Sequence, residues 1–238
     1  MFRRWLRELQ AMEPQYRYPI YGAGALAAFA AVYWMTSSSS SDTAIRPVIP
    51  RMLPSDPKFI QARNYTPSNR TSIDLIVLHS TENPIEPGTA RNVAMYFAGP
   101  DAPDASAHYV VGPEATYGCV EEKDVAWAAP GANRNGLQIE QVGQAFQTDW
   151  LRSGNAPTDG LDVLTRSADL VRSLCLRWNI PMKRVDAKGL LAGERGITSH
   201  AAVSAAFRQS DHVDPGGPGD ERWPWDTFLR LVQQDTIA

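Results

Sequence analysis

The chain has four histidines, His79, His108, His200 and His212. Three of them stand where a packed core has little use for an imidazole. His79 ends the apolar run Ser72-Ile-Asp-Leu-Ile-Val-Leu-His79, His200 follows Gly196-Ile-Thr-Ser, and His212 lies in the loop Ser210-Asp-His-Val-Asp-Pro-Gly216. With Asp214 they form a set of imidazole and carboxylate donors. Zinc favours a few such N and O ligands with one position left open for water. The donors are scattered along the chain and do not form a compact H-E-x-x-H motif, so only the fold can bring them together. Taken singly, each histidine reads as a structural or surface residue. His108 alternates within Ser106-Ala-His-Tyr-Val-Val-Gly112 and reads as structural or cleft-lining. Cys119 and Cys175 read as buried small hydrophobes. A disulfide between them stays open, and a nucleophilic Cys119 lacks an electropositive neighbour.

The elements that must carry these residues follow from periodicity. The run ending at His79 is short, apolar and branched, as in a buried strand. Thr89–Phe97 has helical spacing, stopped by Gly99-Pro100. Residues 106–112 and 116–121 predict two strands around a turn, and Leu137–Gly143 predicts another after the loop Pro130–Gly136. Asp162–Trp178 is the strongest helix, with Leu164, Ala168, Val171, Leu174, Cys175 and Trp178 on one stripe. Gly196–Ser199 reads as a turn leading His200 into a short helix, Ala201–Phe207. Trp223–Val232 is the last helix. No internal repeat is present. Strands interleaved with helices predict an α/β domain, a mixed central sheet flanked by helices.

Residues 62–232 resemble the zinc-dependent N-acetylmuramoyl-L-alanine amidases of the type 2 family, relatives of the peptidoglycan-recognition proteins and common among phage endolysins. The likeness rests on ordered motifs: Ile76-Val-Leu-His79, Ser106-Ala-His-Tyr109, Asp124-Val-Ala-Trp127, Gly131-Ala-Asn-Arg-Asn-Gly136 before Ile139-Glu140, Gly196-Ile-Thr-Ser-His200, and Asp214-Pro-Gly216 ahead of Trp225 and Phe228. The resemblance implies that His79, His200 and Asp214 ligate Zn2+. It implies that Glu140 is the general base, and that His212, where many relatives carry lysine, assists charge on the substrate carbonyl oxygen. His212 remains the rival to Asp214 as third ligand. Two positions depart from the family pattern. Ala128 stands where many relatives have His, and Gln141 where His or an apolar residue is frequent. Neither change removes a ligand. The implied activity is a peptidoglycan hydrolase. The alternative from another class is a membrane-tethered module that binds peptidoglycan without cutting it, and such relatives typically lack a ligand.

The N-terminal quarter reads differently from the body. Arg3, Arg4, Arg7 and Arg17 precede an uncharged stretch from Tyr18 to Ser41. This predicts a basic cytoplasmic head (1–18), a transmembrane signal anchor (19–36), a Ser/Pro-rich linker (37–58) and the amidase domain (59–238). The apolar part, Pro19–Met35, spans roughly 25 Å as a helix, near the lower limit for a bilayer. Tyr18, Tyr21, Tyr33 and Trp34 flank it as interfacial aromatics do. The expected location is the cytoplasmic membrane, single-pass, with the domain outside, on a fixed or releasable anchor. A cleaved signal peptide is the competing reading. With 23 basic and 26 acidic residues the chain has no basic footprint for nucleic acid. A hydrophobic share of 43% excludes wholesale disorder.

Overall fold

A computed structural model describes residues 48–152 and 159–234. The head, the expected membrane span and most of the expected linker therefore lie outside the described residues. Among those described, no helix is long and apolar enough to cross a membrane.

The architecture is one mixed sheet with helices on both faces. In chain order the elements are β1 (Leu75–Ser80), α1 (Thr89–Ala98), β2 (Tyr109–Val111), β3 (Thr116–Gly118), β4 (Gly136–Gln141), α2 (Gly160–Trp178), α3 (Ala187–Leu191), β5 (Gly196–Ser199), α4 (His200–Phe207) and α5 (Trp225–Gln233). The sheet order is β3-β2-β4-β1-β5. β1 runs parallel to β4 and β5, β2 runs parallel to β4, and only β3 is antiparallel. β1 is buried along its whole length. That is why it reads as a continuous apolar run and not as an alternation.

The two faces of the sheet have separate cores. Ile76, Leu78, Leu137, Ile139 and Tyr109 pack with α2 residues such as Leu164, Val171 and Leu174, and with Phe228 and Val232 of α5. On the opposite face Leu75 and Val77 meet Ala129, Ala132, Val185, Leu190, Ala202 and Val203. The predicted stripe of α2 is the buried one, except that Trp178 is only partly covered. Asn179 closes α2 in the left-handed conformation, its N–H on the Cys175 carbonyl. Both cysteines are buried and unpaired. Chain packing begins before Phe59. The Ile49 N–H donates to Ser173 Oγ on α2 at 2.8 Å, and the Ile49 carbonyl accepts from Arg177 at 2.6 Å.

Two local readings differ from the sequence expectation, and one short helix stands where no element was expected. Gly196–Ser199 is a strand, not a turn, because its partner is the distant β1, with Ile76 opposite Ile197. Gly196 is needed there for close approach: a Cβ on it would lie 2.6 Å from the Lys183 carbonyl oxygen. α3 is a single short turn of helix opened by Asp186, whose side chain accepts from the Gly189 N–H. β2 is shorter than expected and leaves His108 just outside it.

Gly131 shows how the loop before β4 is fitted to α4. Its φ is +96°, and a Cβ there would stand 2.6 Å from Phe207 Cδ2. Gly131→Ala combines a left-handed alanine with overpacking, so it should destabilise the body by about 1–3 kcal/mol in urea unfolding. Wild-type stability in that variant would mean the loop can shift off α4 without cost.

Candidate active site

The sheet sets the first part of the site by register. In the β1–β4 pairing His79 is opposite Glu140 and Val77 is opposite Gln138. His79, Glu140 and Gln138 therefore share the face that α4 covers, at the C-terminal ends of parallel strands. Open α/β sheets keep their ligand sites there. β5 then delivers His200 as the first residue of α4. Ser199 caps that helix, its Oγ accepting from the Ala202 N–H at 3.0 Å. The Ala201 N–H donates to the main-chain carbonyl of Asp214 at 2.9 Å. The helix start thus fixes both a histidine and the distant aspartate. The Asp214-Pro215 peptide is cis.

His79, His200 and Asp214 are 2%, 1% and 7% exposed. One donor atom from each lies within 4.8 Å of the others. His79 Nδ1 and His200 Nδ1 are each 3.4 Å from the Asp214 carboxylate. The Ser80 N–H also donates to Asp214 Oδ2, at 3.2 Å. His212 stacks on His200 with ring centroids 4.2 Å apart, and its Nδ1 is 3.3 Å from Asp214 Oδ1. Its side chain is 32% exposed, so it stands at the rim while Asp214 occupies the interior.

The histidine tautomers follow from their partners. The Gln138 amide NH2 donates to the Ala132 carbonyl, which turns its Oε1 toward His79 Nε2 at 2.9 Å. His79 must then carry a proton on Nε2, leaving Nδ1 to face Asp214 and His200. Ser210 Oγ lies 3.2 Å from His200 Nε2 and 2.7 Å from Ser204 Oγ. A hydroxyl both accepts and donates, so His200 is free to hold its proton on Nε2 and direct Nδ1 inward. That Nδ1 is buried without a hydrogen-bond partner, and so is Glu140 Oε2. Two orphaned polar atoms beside a buried carboxylate, with a His-His-Asp donor set, fit a divalent metal held by Nδ1, Nδ1 and a carboxylate oxygen.

Charge balance points the same way. Burial pushes the Glu140 carboxyl up to about 7, and the nearby charge of His79 pulls against it. Burial lowers His79, yet the Asp214 hydrogen bond and the Glu140 charge outweigh it and lift the imidazole to about 9. His200 is driven down to about 4, chiefly by burial. Burial also opposes ionisation of Asp214, but contacts from His200, His212 and His79 hold it well below the usual carboxylate range. Two carboxylates gathered in a desolvated space favour a positive charge between them, which a bound metal would supply.

The remaining expected residues fall outside this group. His108 Nδ1 accepts from the Gln138 N–H at 2.9 Å, and its Nε2 lies 3.1 Å from the Asp124 carbonyl and 2.9 Å from the Arg70 guanidinium. It is a buried strut under Gln138. Arg70 closes the same layer, donating to the carbonyls of Glu122, Arg134 and Gly136. Ala128 and Ala129 offer their N–H groups to Asn133 Oδ1, which shapes the Asn-rich loop. Gln141 is fully buried and donates to the His79 carbonyl. Gln138 and Ser210 were not singled out in the sequence. The only available signal for Gln138 was a polar residue two positions before Glu140 in an apolar strand.

Burial, and then the Arg70 charge, push His108 down to about 3. In the unfolded chain it takes a proton near pH ~6.5. The unfolded state therefore binds a proton that the fold refuses, and stability drops as pH falls from about 6.5 toward 3. His108→Asn should reduce the slope of metal-free stability against pH by about one bound proton, read from urea midpoints at several pH values. Equal slopes in the two proteins would show that His108 carries no such linkage.

The family model of the N-acetylmuramoyl-L-alanine amidases known as Amidase_2 matches residues 69–217. In fold, the chain is similar to the hydrolase AmiA of Staphylococcus aureus in complex with its ligand. The TM-score is 0.55 at 15% identity, over 92% of this chain and 95% of that one. Weaker structural likenesses include a mutant endolysin from Bacillus subtilis (TM-score 0.46, 20% identity, 73% of this chain and 97% of that one). Another is the amidase LysCS from Clostridium intestinale (TM-score 0.44, 19% identity, 74% and 96%). Among proteins of curated function none matches the chain. The family match takes in His79, Glu140, His200 and Asp214 and covers most of the chain, so this protein belongs to the type 2 N-acetylmuramoyl-L-alanine amidase family and is an amidase of that class.

Proposed function

We propose that the His79–His200–Asp214 cluster holds Zn2+ and that the body cleaves the amide between the lactyl group of N-acetylmuramic acid and L-alanine of the stem peptide. The observation that carries this reading is the convergence of three buried donors within 4.8 Å, with Glu140 opposite His79 in the strand register. When bound, zinc supplies a Lewis acid for the amide carbonyl and lowers the pKa of an attacking water toward ~7. Glu140 takes a proton from that water as its oxygen attacks the carbonyl carbon. It returns the proton to the nitrogen as the C–N bond breaks, so the L-alanine amine leaves neutral. Its desolvated carboxyl, raised to about 7, suits both steps. His212, at the rim beside Asp214, is placed to offer a hydrogen bond to the carbonyl oxygen as negative charge develops. Gln138 holds His79 in its tautomer, and Ser210 offers His200 Nε2 a hydroxyl that can accept its proton. A binding module without chemistry would have no need of a complete donor set with a desolvated carboxylate beside it.

Dye release from purified cell walls, with and without a chelator, tests this. Chelation should abolish release and added zinc should restore it. Glu140→Ala should lower kcat by roughly 100–10,000-fold with zinc content unchanged, whereas His79→Ala should lose both. A Glu140→Ala enzyme within a few-fold of wild type would move the base elsewhere.

We also infer that residues 19–36 are a signal anchor carrying the domain across the cytoplasmic membrane, with residues 37–58 as its tether, the last part of which, from Ile49, packs against α2. The support is the uncharged aromatic-flanked stretch behind four arginines and a wall substrate found only outside. The span relies on Ala and Gly, which contribute little transfer energy. The full chain should sediment with membranes and carry protease-accessible amidase on the outer face. Uncleaved protein that turns soluble after an uncoupler would mark a releasable anchor, and cleavage near Ser37 would make the segment an ordinary signal peptide.

A further inference from the structure

Glu82 lies three residues beyond His79, outside every motif that carried the family likeness. Its backbone has φ +59°, a left-handed conformation that non-glycine residues adopt only when something holds them. Its carboxylate is partly sheltered, and Oε1 accepts two hydrogen bonds: from the Ser80 hydroxyl at 2.8 Å and from the Ala145 N–H at 2.7 Å. Each donor is itself tied to the Asp214 turn. The Ser80 N–H donates to Asp214 Oδ2, and the Ala145 carbonyl accepts from the Gly216 N–H at 2.8 Å. The four bonds close a ring that runs from Glu82 through Ser80 to Asp214, along the chain to Gly216, and back through Ala145.

We propose that Glu82 is a positioning residue that locks the Asp214 turn against the end of β1 and so presets the third donor of the metal cluster. Gly216 adopts φ +95°, and a Cβ there would meet the Trp223 nitrogen at 2.8 Å, so the turn has one tight seat. Three segments distant in sequence, 80–82, 145 and 214–216, meet in this ring. A carboxylate oxygen suits the node because it accepts from two donors at once. The inference rests on the zinc reading of the cluster, since presetting Asp214 matters most if Asp214 is a ligand.

The test uses the full chain with three readouts: zinc affinity against a chromophoric chelator, kcat on cell walls, and amide exchange of the metal-free protein by mass spectrometry. Glu82→Ala should weaken zinc by up to about 10-fold, the low end of the cost of losing a direct partner of a metal ligand, because Glu82 acts on Asp214 through Ser80 and Ala145. It should also speed exchange in peptides containing Ala145 and Gly216. Glu82→Gln keeps an oxygen that accepts both donors, and it should restore affinity and protection. If Glu82→Ala fails to fold, Ser80→Ala opens the ring at one bond and should give a smaller loss of the same kind. The proposal is overturned if Glu82→Ala binds zinc and exchanges as wild type does, or if Glu82→Gln falls as far as Glu82→Ala. Wild-type protein that binds no zinc would refute the metal reading alone. The exchange comparison would still decide whether Glu82 pins the turn.

Discussion

The buried carboxylate of Asp214 governs the arrangement of everything near it. An ionised carboxylate taken out of water is costly unless it is paired and hydrogen-bonded. Here it is met by His79, His200, His212 and the Ser80 N–H. Those four partners come from three constraints. His79 and Ser80 are set by the end of β1, His200 by the cap of α4, and His212 by the loop that enters the turn. The Asp214 carbonyl in turn accepts from the first turn of α4, so the residue organises the helix that supplies one of its own partners.

The sheet is the rigid part of this design. Parallel pairing of β1 with β4 puts His79 beside Glu140 without help from any loop. Behind them lies a buried polar layer: Gln138 holds His79 through its side chain and His108 through its N–H, and Arg70 lies against His108 while donating to the Glu122 carbonyl. Polar groups in such a layer are expensive to leave unpaired in low dielectric. Arg70 illustrates the cost: burial lowers its guanidinium to about 10, and the charges of Asp124 and Glu122 pull it back up.

The electrostatics also explain why the cluster is suited to a cation. Glu140 and Asp214 bring two carboxylates into a desolvated space, and His79 answers with a raised pKa. A dication occupying the donor atoms would do the same job while leaving both imidazoles neutral. The family match makes the protein an amidase of this class, and the fold likeness agrees on the frame.

Composition and local pattern were enough to determine the fold class, because a buried parallel strand, an amphipathic 19-residue helix and glycine-marked turns each leave a periodic trace. The residue types of the site were legible as well. Imidazoles at a strand end and a helix start, with an aspartate in a Pro-Gly turn, are uncommon enough to stand out. The strand character of Gly196–Ser199 was not legible, because four residues with a glycine become a strand only through pairing with β1. Gln138, Ser210 and Glu82 were equally silent. A glutamine in a strand, a serine in a loop and a glutamate in a turn look like ordinary surface residues until long-range contacts give them partners. The sequence by itself determined which groups could do the chemistry. Only the tertiary structure decided their register and hydrogen-bond partners, because those depend on atoms 59 and 134 residues away in sequence, brought within hydrogen-bonding distance by the fold.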